Sequence, residues 1–546
     1  MNMIVTEKND DDTDESASDD GSDCDMEESA FQIDTPEVVE EEDGDVFGND
    51  WCWDQWDEIG DNDEVEGPKE HDHYDGKYGL KDGVGESFHT ILQCIFKTTA
   101  MNREFFKRLA SQSNKYARQQ MNTRNTSLFL GHKWENIRVG EMVRFFGIML
   151  RISMEPRKMG GYASYFQDPP VIRLGVSYSV RLTGFDPWAR EIMTLLRFKQ
   201  IRSAFHPEAG RSELTGDKCH QLRYFIRTFN ERARHIFHLG PNASFDEGGV
   251  PMRSRYCPVR MYNKDKPDKF RVDFFILADS KHYFIFHLDV YQGKNKANID
   301  IAPMVATLPT TQKAVANAII KSRIDNDVDG CRYIFMDNRY AAPQLLALMS
   351  KEWNIRGVGT CKANRKGFPT KELALSDASD RGSFVRLVDK RLGMVATRWK
   401  DSRILQTVST VMKSGIDEVA RRIGSEVIKV SCPNDIIQYQ KNMGGVDRGD
   451  QHRVMGAGFA NVAHFKKWYK KAFMGIADFS FLQAFAAWNL SVDGMNNKRG
   501  GEVKREMLVK WQFYAAAAEE FMTYLDNDEV SFHKTILDPT MNTHPA

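Results

Sequence analysis

The charge of this chain is divided between two unequal parts, and the division decides which part can fold. Residues 1–80 contain 30 Asp and Glu residues but only 3 Lys and Arg, whereas residues 81–546 contain 47 acidic and 71 basic residues. A segment so acidic, without a sustained hydrophobic period, cannot bury enough apolar surface to offset the conformational entropy that folding removes. We therefore predict a disordered acidic tail over residues 1–84 and folded structure after it.

Two features interrupt the acidic tail. Residues 31–39 include a few apolar side chains, and Trp51, Trp53 and Trp56 form a small aromatic cluster among acids. Disorder throughout is the favoured interpretation. The alternative is a segment that docks on a protein partner, or one that competes in cis for a basic DNA-binding groove.

The body of the chain, residues 81–546, has a net charge of +24. A basic body of that size is typical of a protein that binds a polyanion, and nucleic acid is the first candidate. The alternative is an ordinary solvated surface with an excess of Lys. A chain of 546 residues is too long for one ordinary hydrophobic core. We therefore expect about two to four folded units.

The eight cysteines are isolated in the sequence, without a Cys-x-x-Cys pair or a Cys/His set at zinc-finger spacing. Free thiols in a reducing compartment are therefore expected, and no zinc site is evident. No apolar run approaches the length that crosses a membrane, and the first five residues lead into acids rather than into a signal core. We expect a soluble intracellular protein with no membrane partner.

The hydrophobic pattern changes from helical to extended near Gly240-Pro241. The predicted helices before and after this point are 141–154, 195–205, 221–237, 312–322 and 342–353. The predicted strands, rich in Phe, Ile, Val and Tyr, are 242–250, 271–279, 283–290, 331–336 and 355–362. Strands in succession, followed by alternating helices and strands, indicate an α/β fold with a mixed sheet covered by helices.

The alternation is interrupted after residue 362. Three short strands at 383–388, 394–400 and 404–410 predict a small antiparallel meander, which we interpret as an inserted subdomain. A helical pattern resumes at Asp435, continues through 465–490 and, after a break at Gly500-Gly501, through 504–525.

Acidic residues lie where phosphodiester chemistry would need them. Asp246 and Asp337 each end a predicted strand, and Asp450 shares a helix face with Asp447 if that stretch is helical. Clustered carboxylates can hold two divalent cations roughly 4 Å apart, and oxygen ligands favour Mg²⁺ or Mn²⁺ over zinc. Because acids at strand ends are common, the spacing alone is also consistent with ordinary carboxylates.

A colinear series of short motifs surrounds these acids. The series comprises Ser-Phe-Asp-Glu at 244–247, Lys-Pro-Asp-Lys at 266–269, Val-Tyr-Gln-Gly-Lys at 290–294, Met-Asp-Asn at 336–338, Gly-Thr at 359–360, Asn-Arg-Lys-Gly at 364–367, Trp-Lys-Asp at 399–401, Ser-Thr at 409–410, Tyr439, Met-Gly-Gly-Val-Asp at 443–447 and Asp-Gln at 450–451. Over roughly residues 90–525, the series resembles the piggyBac family of DDE transposases.

The resemblance implies an RNase H-like mixed-sheet catalytic core that carries a β-rich insertion. A helical DNA-binding and dimerisation domain, split by the core, flanks it. The implied segments are the acidic tail 1–84, the first helical part 85–238, the first core part 239–362, the insertion 363–423, the second core part 424–456, the second helical part 457–525 and the C-terminal tail 526–546. The resemblance also implies catalytic, metal-binding Asp246, Asp337 and Asp447, an auxiliary ligand Asp450, Mg²⁺ or Mn²⁺ as cofactor, and a nuclear homodimer on DNA.

Basic residues near the implied active site are candidates for phosphate contact, since each such contact releases counterions. A solvated loop is the alternative for the cluster at 253–269. Trp468 could stack on an unpaired base, or it could simply be packed. The predicted DNA-binding residues are Arg253, Arg255, Arg260, Lys264, Lys266, Lys269, Arg365, Lys366, Lys466, Lys467 and Trp468.

The chain departs from the family pattern at several positions. Arg271 and Asp273 replace a usual glycine and a basic residue, Arg339 replaces an aromatic, and Ala463-His464 replaces a basic pair. The family's C-terminal cysteine-rich, zinc-binding domain has no counterpart, because no cysteine follows Cys432.

The sequence therefore predicts metal-dependent DNA cleavage and strand transfer at TTAA-type sites by a non-autonomous or domesticated relative of these transposases. The alternative is a catalytically silent, transposase-derived protein that binds DNA or chromatin. The three intact aspartates favour the first function. The missing cysteine-rich domain and the altered basic pair favour the second.

Overall fold

The computed structural model describes residues 56–58, 74–157, 161–168, 171–173, 179–181, 186–208, 217–293, 305–325, 331–410, 415–498 and 507–526. Its helices are α1 (Ile91–Thr98), α2 (Arg103–Thr123), α3 (Val139–Met154), α4 (Leu195–Ala204), α5 (His220–Ile236), α6 (Thr310–Ser322), α7 (Pro343–Trp353), α8 (Asn434–Asn442), α9 (Gly445–Val454), α10 (Phe459–Val462), α11 (Trp468–Lys498) and α12 (Lys510–Met522). Its strands are β1 (Asp57–Glu58), β2 (Gly79–Leu80), β3 (Leu128–Phe129), β4 (His132–Lys133), β5 (Val171–Arg173), β6 (Ser179–Arg181), β7 (Phe237–His238), β8 (Asn242–Pro251), β9 (Met261–Tyr262), β10 (Phe270–Asp279), β11 (Ile285–Val290), β12 (Arg332–Met336), β13 (Ile355–Thr360), β14 (Phe384–Asp389), β15 (Met394–Lys400), β16 (Ile404–Thr410), β17 (Ile416–Ile423) and β18 (Glu426–Pro433). The predicted features at residues 31–39, Trp51, Trp53 and 527–546 lie outside the described residues.

One large mixed sheet organises the fold. Its strand order is β1-β14-β15-β16-β13-β12-β8-β10-β11, and β9 pairs with β10. Strand β12 runs parallel to β8 and to β13, while the other neighbours in this sheet are antiparallel. Every residue of β12 is buried, as expected for a central strand covered on both faces. The mixed α/β fold predicted from the sequence is confirmed.

The predicted meander forms, but it is not a separate sheet. Strand β16 pairs antiparallel with β13 through Val358↔Ser409, Gly359↔Val408 and Thr360↔Thr407. Strands β14–β16 therefore extend the central sheet, because β13 would otherwise present an open edge of unpaired backbone groups. The hairpin of β17 and β18 forms its own two-stranded sheet beside them.

Part of the acidic segment predicted as disordered is ordered. Strand β1 pairs antiparallel with β14, with Asp57 opposite Val388, and Trp56 packs against the main core. Strand β2 pairs with β7, and the Tyr78 hydroxyl donates a hydrogen bond to Asp279 Oδ1 at 2.9 Å. Strand β1 covers the open edge of the central sheet at β14, and Trp56 buries part of its aromatic surface there.

Helices from distant parts of the sequence pack into one unit. Phe106 of α2, Phe146 of α3 and Phe521 of α12 are fully buried, and Phe106 packs edge to face against the other two rings. Arg103 donates two hydrogen bonds to Asp526, at 2.8 and 2.9 Å. No helix within the described residues is long and apolar enough to cross a membrane.

Candidate active site

Asp246 and Asp337 are brought side by side by the parallel pairing of β8 and β12. The last registered pair is Met336↔Phe245, so the next step along both strands places Asp337 next to Asp246. Neighbouring strands lie about 4.8 Å apart. The sequence predicted that Asp246 ends its strand, but β8 continues to Pro251 and pairs only with β10 and not with β12 beyond this point. Asp246 thus lies where β12 leaves β8, and the sheet opens on that side.

Asp246 lies on the face of β8 that α9 covers. Side chains alternate between the two faces of a strand, so Ser244 and Asp246 share a face. The Ser244 hydroxyl accepts a hydrogen bond from the backbone N–H of Val446 in α9, at 3.1 Å. This bond fixes the first turn of α9, which includes Asp447, against the strand of Asp246.

Gly445 permits this close approach. A Cβ at Gly445 would overlap the Ser244 hydroxyl, and it would lie 2.9 Å from Ser280 Cα and 3.0 Å from the Asp279 carbonyl oxygen. Two of these three obstacles are backbone atoms, which cannot turn aside as a side chain can. The motif glycine therefore sets the distance between α9 and the sheet.

Asp337 lies on the same face of the sheet as Asp246. Tyr333 and Phe335 of β12 pack with Tyr439 of α8, and Asp337 follows them in the same alternation. Helices α8 and α9 together therefore cover the face on which both aspartates lie.

Tyr439 is the common neighbour of the three predicted catalytic aspartates. Burial first, and then the negative charges of Asp337, Asp246 and Asp447, raise the pKa of the Tyr439 hydroxyl to about 12. The hydroxyl lies 3.4 Å from Thr360 Oγ1, and this hydrogen bond acts in the opposite direction on the pKa. Asp447 itself is exposed in the first turn of α9.

The three aspartates do not form a complete metal site in the described residues. Within these residues, no group of three or more His, Cys, Asp and Glu side chains could hold a metal ion together. Carboxylates without a cation repel one another, and this repulsion opposes closure of such a site. The predicted set of metal ligands, Asp246, Asp337, Asp447 and Asp450, therefore stays a prediction.

Asp246 and Asp337, which are both partly buried, nevertheless have the chemistry that a divalent cation requires. Burial, followed by the neighbouring Glu247 carboxyl and then Asp337, raises the pKa of Asp246 well above its usual range. Burial and then Glu247 also raise the pKa of Asp337. Among the described residues no ion pair to Asp246 is found. Magnesium is commonly bound by one or two carboxylates together with waters and substrate phosphate, so this pair fits Mg²⁺ or Mn²⁺.

Asp450, the predicted auxiliary ligand, is engaged elsewhere. Its Oδ1 accepts a hydrogen bond from Arg453 Nε at 2.9 Å, and the Arg453 side chain is almost fully buried. Arg453 also donates to the Gly249 carbonyl oxygen of β8. In this arrangement Arg453 ties α9 to the sheet, and Asp450 holds the Arg453 guanidinium in place.

Four charged residues form a cluster on the opposite face of β8. Arg339 pairs with Glu247, and Arg271 pairs with Asp273 at 2.5 Å. Burial acts to raise the pKa of the Glu247 carboxyl, but the charge of Arg339, then hydrogen bonds with Asp246 and Tyr340, and then the charge of Arg271 hold this pKa below its usual value. Arg271, Asp273 and Arg339 are departures from the piggyBac pattern, and together with Glu247 their charges balance.

Arg365, a predicted DNA-binding residue, braces the turn that follows Asp337. Its Nη2 donates to the carbonyl oxygens of Asn338 and Arg339, at 3.2 and 2.8 Å. Lys366, its neighbour, is exposed. Arg365 is therefore held by backbone contacts in the turn after Asp337.

The predicted contacts near α11 also differ from one another. Lys466 is exposed, whereas Lys467 Nζ donates to the Tyr116 hydroxyl at 3.1 Å. Trp468 is partly buried and packs against the main core. Of the basic residues at 253–269, Arg253, Arg255, Lys264, Lys266 and Lys269 are exposed, and Arg260 is half-buried.

Sequence reasoning did not assign roles to Glu247, Arg339 and Tyr439. Two signals were present: Glu247 directly follows Asp246 in the Ser-Phe-Asp-Glu motif, and Tyr439 belongs to the same series. The pairing of Glu247 with Arg339 joins positions 92 residues apart, and no local pattern indicates it.

Comparison with known proteins identifies the family of this chain. The family model described as Transposase IS4 matches residues 93–485, which is more than half of the chain. The class is therefore that of the DDE transposases. The chain belongs to the piggyBac transposase family, with an IS4-type DDE transposase domain, and the predicted resemblance is confirmed.

The relatives are distant. The chain is 25% identical over 287 residues to the human piggyBac transposable element-derived protein 3, which covers 50% of this chain and 44% of that protein. It is 28% identical over 155 residues to the human piggyBac transposable element-derived protein 2, covering 26% of this chain and 24% of that one. The chain thus matches less than half the length of these curated relatives.

A solved structure shares the fold. The cryo-EM structure of a piggyBac transposase synaptic complex with hairpin DNA matches with a TM-score of 0.59 at 17% identity, over 86% of this chain and 89% of that one. At this identity the likeness shows the fold alone.

Proposed function

We propose that this chain is a metal-dependent DNA nuclease and strand transferase of the DDE type. In this proposal, β8, β10, β11, β12 and β13, with α6 and α7, form an RNase H-like catalytic core. The observation that carries the proposal is the parallel register of β8 and β12, which sets Asp246 beside Asp337 on the face covered by α8 and α9.

Each of these residues has a separate role in the proposed reaction. Asp246 and Asp337 would hold Mg²⁺ or Mn²⁺, and Asp447 would approach from α9 once the cation offsets the repulsion between carboxylates. The bound cation would activate the attacking oxygen and stabilise the leaving oxygen of the phosphodiester. Because its pKa is about 12, the Tyr439 hydroxyl keeps its proton at neutral pH and can donate a hydrogen bond among these groups.

Target choice and assembly belong to the same proposal. By analogy with the piggyBac family, we extend the proposal to cleavage and joining at TTAA-type sites, action as a homodimer on DNA and a nuclear location. The exposed cations at 253–269 and at Lys366 and Lys466 supply the phosphate contacts. The solved relative is a synaptic complex with hairpin DNA, and we extend that substrate class to this chain by analogy.

A second function is favoured by a specific observation. Within the described residues the carboxylates do not assemble into a three-ligand site, and Arg339 places a cation two residues from Asp337. Both features suit a catalytically silent, transposase-derived protein that binds DNA or chromatin.

A nicking assay separates the two functions. The full chain is incubated with supercoiled plasmid containing TTAA sites, with Mg²⁺ or with EDTA. We expect nicking with Mg²⁺ only, and a loss of about a thousandfold or more in the Asp246→Asn and Asp337→Asn variants, since metal stabilisation contributes several kcal/mol. Asp417→Asn, at an exposed position on β17, is the matched control and should cut normally. A wild-type chain that binds the plasmid without nicking it would support the silent function.

A further inference from the structure

The connection between β8 and β10 exposes three aromatic rings within one short segment. Tyr256, Tyr262 and Phe270 keep 72%, 42% and 41% of their surface exposed. Tyr262 and Phe270 lie side by side, with their ring centres 5.1 Å apart, and exposed aromatic surface of this kind is typical of a binding surface. Residues 252–270 also contain six Lys and Arg residues against two Asp. We call this segment the basic–aromatic hairpin.

The basic–aromatic hairpin is anchored from below. Met252, Cys257 and Val259 are buried beneath it. Strand β9 pairs with the start of β10 through Tyr262 and Phe270. The exposed rings are therefore held on a packed base, so a ligand would bind them without the cost of ordering a loop.

Arginine side chains lie over two of the rings. The Arg255 guanidinium is 5.1 Å from the centre of the Tyr256 ring, and the Arg260 guanidinium is 4.6 Å from that of Phe270. Arg255 also donates a hydrogen bond to the Tyr256 hydroxyl at 3.0 Å. Tyr256 remains the most exposed of the three rings, so it has the most surface available for a second planar group.

The basic–aromatic hairpin lies near the candidate active site. It begins directly after β8, whose last residue, Pro251, is five residues from Asp246, or about 17 Å along an extended strand. Helix α11 crosses this end of β8 closely, since a Cβ at Gly475 would overlap the Val250 side chain. Burial, and then the charge of Arg253, lower the pKa of Lys471 in α11, so the hairpin and the first turns of α11 share one surface.

We propose that the basic–aromatic hairpin binds unpaired bases of DNA, with Tyr256 and Tyr262 stacking on the bases and the exposed cations holding the phosphates. Aromatic rings among cations are the usual platform for single-stranded nucleic acid, because every base has a flat face. In an intact duplex these faces are covered by neighbouring base pairs. The inference rests on the proposed function for the identity of the ligand as DNA, and it adds which form of DNA is bound.

Binding measurements on the full chain test this inference. Fluorescence anisotropy would compare a short single-stranded thymidine oligonucleotide with a duplex of equal length, without Mg²⁺. In the Tyr256→Ala/Tyr262→Ala variant we expect single-strand affinity to fall about tenfold or more, since one stacked base contributes roughly 1–3 kcal/mol. Duplex affinity should change less than about twofold, and the salt dependence should stay the same, because no phosphate contact is lost.

Two control variants sharpen the result. Lys264→Gln/Lys266→Gln should weaken both DNA forms and reduce the salt slope by about 1.4 on the single strand and about 1.8 on the duplex. Trp511→Ala removes a ring that is 65% exposed on α12, and it should leave both affinities unchanged.

The outcomes also separate this inference from the proposed function. Equal losses on single strand and duplex, or no loss on either, in the tyrosine variant would overturn the stacking role. A wild-type chain that binds single strands through these tyrosines but never nicks DNA would leave the inference standing and contradict the catalytic proposal.

Discussion

Arg339 and Glu247 belong to the two segments that carry the adjacent candidate aspartates. Glu247 follows Asp246 on β8, and Arg339 lies two residues after Asp337, so their ion pair joins these segments directly. Arg339 replaces the aromatic residue usual in the piggyBac family at this position. Arg339, although it departs from the family pattern, therefore helps to hold Asp246 and Asp337 in their relative position.

Removing one partner of this ion pair should lower the free energy of unfolding more than removing both partners does. We predict that Arg339→Met destabilises the fold by about 2–3 kcal/mol, because Glu247 is left buried without its main cation. This loss of stability is smaller than that expected for a fully buried ion pair, because the Arg339 side chain is 35% exposed and water screens its charge. The Glu247→Gln/Arg339→Met double variant should recover most of the loss. The measurement is the thermal unfolding midpoint of each variant, and equal midpoints for the single and double variants would contradict the coupling.

At the scale of elements, the start of α9 determines where Asp447 lies. The helix starts at Gly445 against Ser244 of β8, and backbone atoms of residues 279 and 280 block any larger side chain there. Gly444, one residue earlier, has open space around its Cβ position except for Arg448 Nε at 4.0 Å, and its φ of −73° suits any residue.

These adjacent glycines give a matched pair of substitutions. We predict that Gly445→Ala lowers stability by about 1–3 kcal/mol, as overpacking of a well-packed contact does, and displaces α9 from the sheet. Gly444→Ala should be close to neutral. Thermal unfolding midpoints check the first effect, and Mg²⁺-dependent nicking checks the displacement of Asp447. If both variants behave alike, the close approach of α9 to β8 does not position the site.

The elements of the fold could largely be predicted from local patterns. The predicted strand 394–400 and Met394–Lys400 coincide, and the helix predicted at 342–353 begins one residue later, at Pro343. The joining of β16 to β13 could not be predicted, because sheet pairing is a non-local choice and the alternation within β16 fits a separate meander equally well.

The candidate site, like the fold, could be predicted only in part from the sequence. The motif series indicated Asp246 and Asp337, and the register of β8 and β12 sets them side by side. The series could not indicate that Arg365 would bind the carbonyl groups after Asp337, or that Asp450 would pair with Arg453. A basic or acidic residue in a sequence shows its charge, but its partner depends on the folded arrangement.

At the scale of the whole molecule, the acidic segment is attached at one edge of the sheet. Strand β1 lies six strands from β8 in the central sheet, a separation of about 30 Å at the usual spacing. Residues 1–55 precede this point and contain 21 acidic residues and one basic residue. If residues 1–55 are disordered, as the sequence predicts, a random coil of that length has an end-to-end distance of about 40 Å, which is enough to reach the basic–aromatic hairpin.

We predict that this segment weakens DNA binding by competing for the basic surface in cis. Tethering gives the acids an effective concentration in the millimolar range, and salt screens the contact. Deleting residues 1–55, rather than 1–80, keeps β1, β2 and the Tyr78 contact with Asp279 intact. The truncated chain should bind a random duplex about tenfold more tightly at low salt and less than about twofold more tightly above physiological salt.

The acidic segment is predicted to compete with DNA through its charge, so the control variant must keep the full length of the chain and remove only the charge. A full-length variant in which the Asp and Glu residues of 1–55 become Asn and Gln should bind DNA as tightly as the deletion does. If that variant instead binds like the wild type while the deletion binds tightly, the segment acts by its bulk and not by its charge. An affinity at low salt that is unchanged in both variants would show that the acidic segment does not reach the DNA-binding surface. The comparison of both variants at two salt concentrations thus decides whether the opposite charges of the two parts of the chain regulate its binding to DNA.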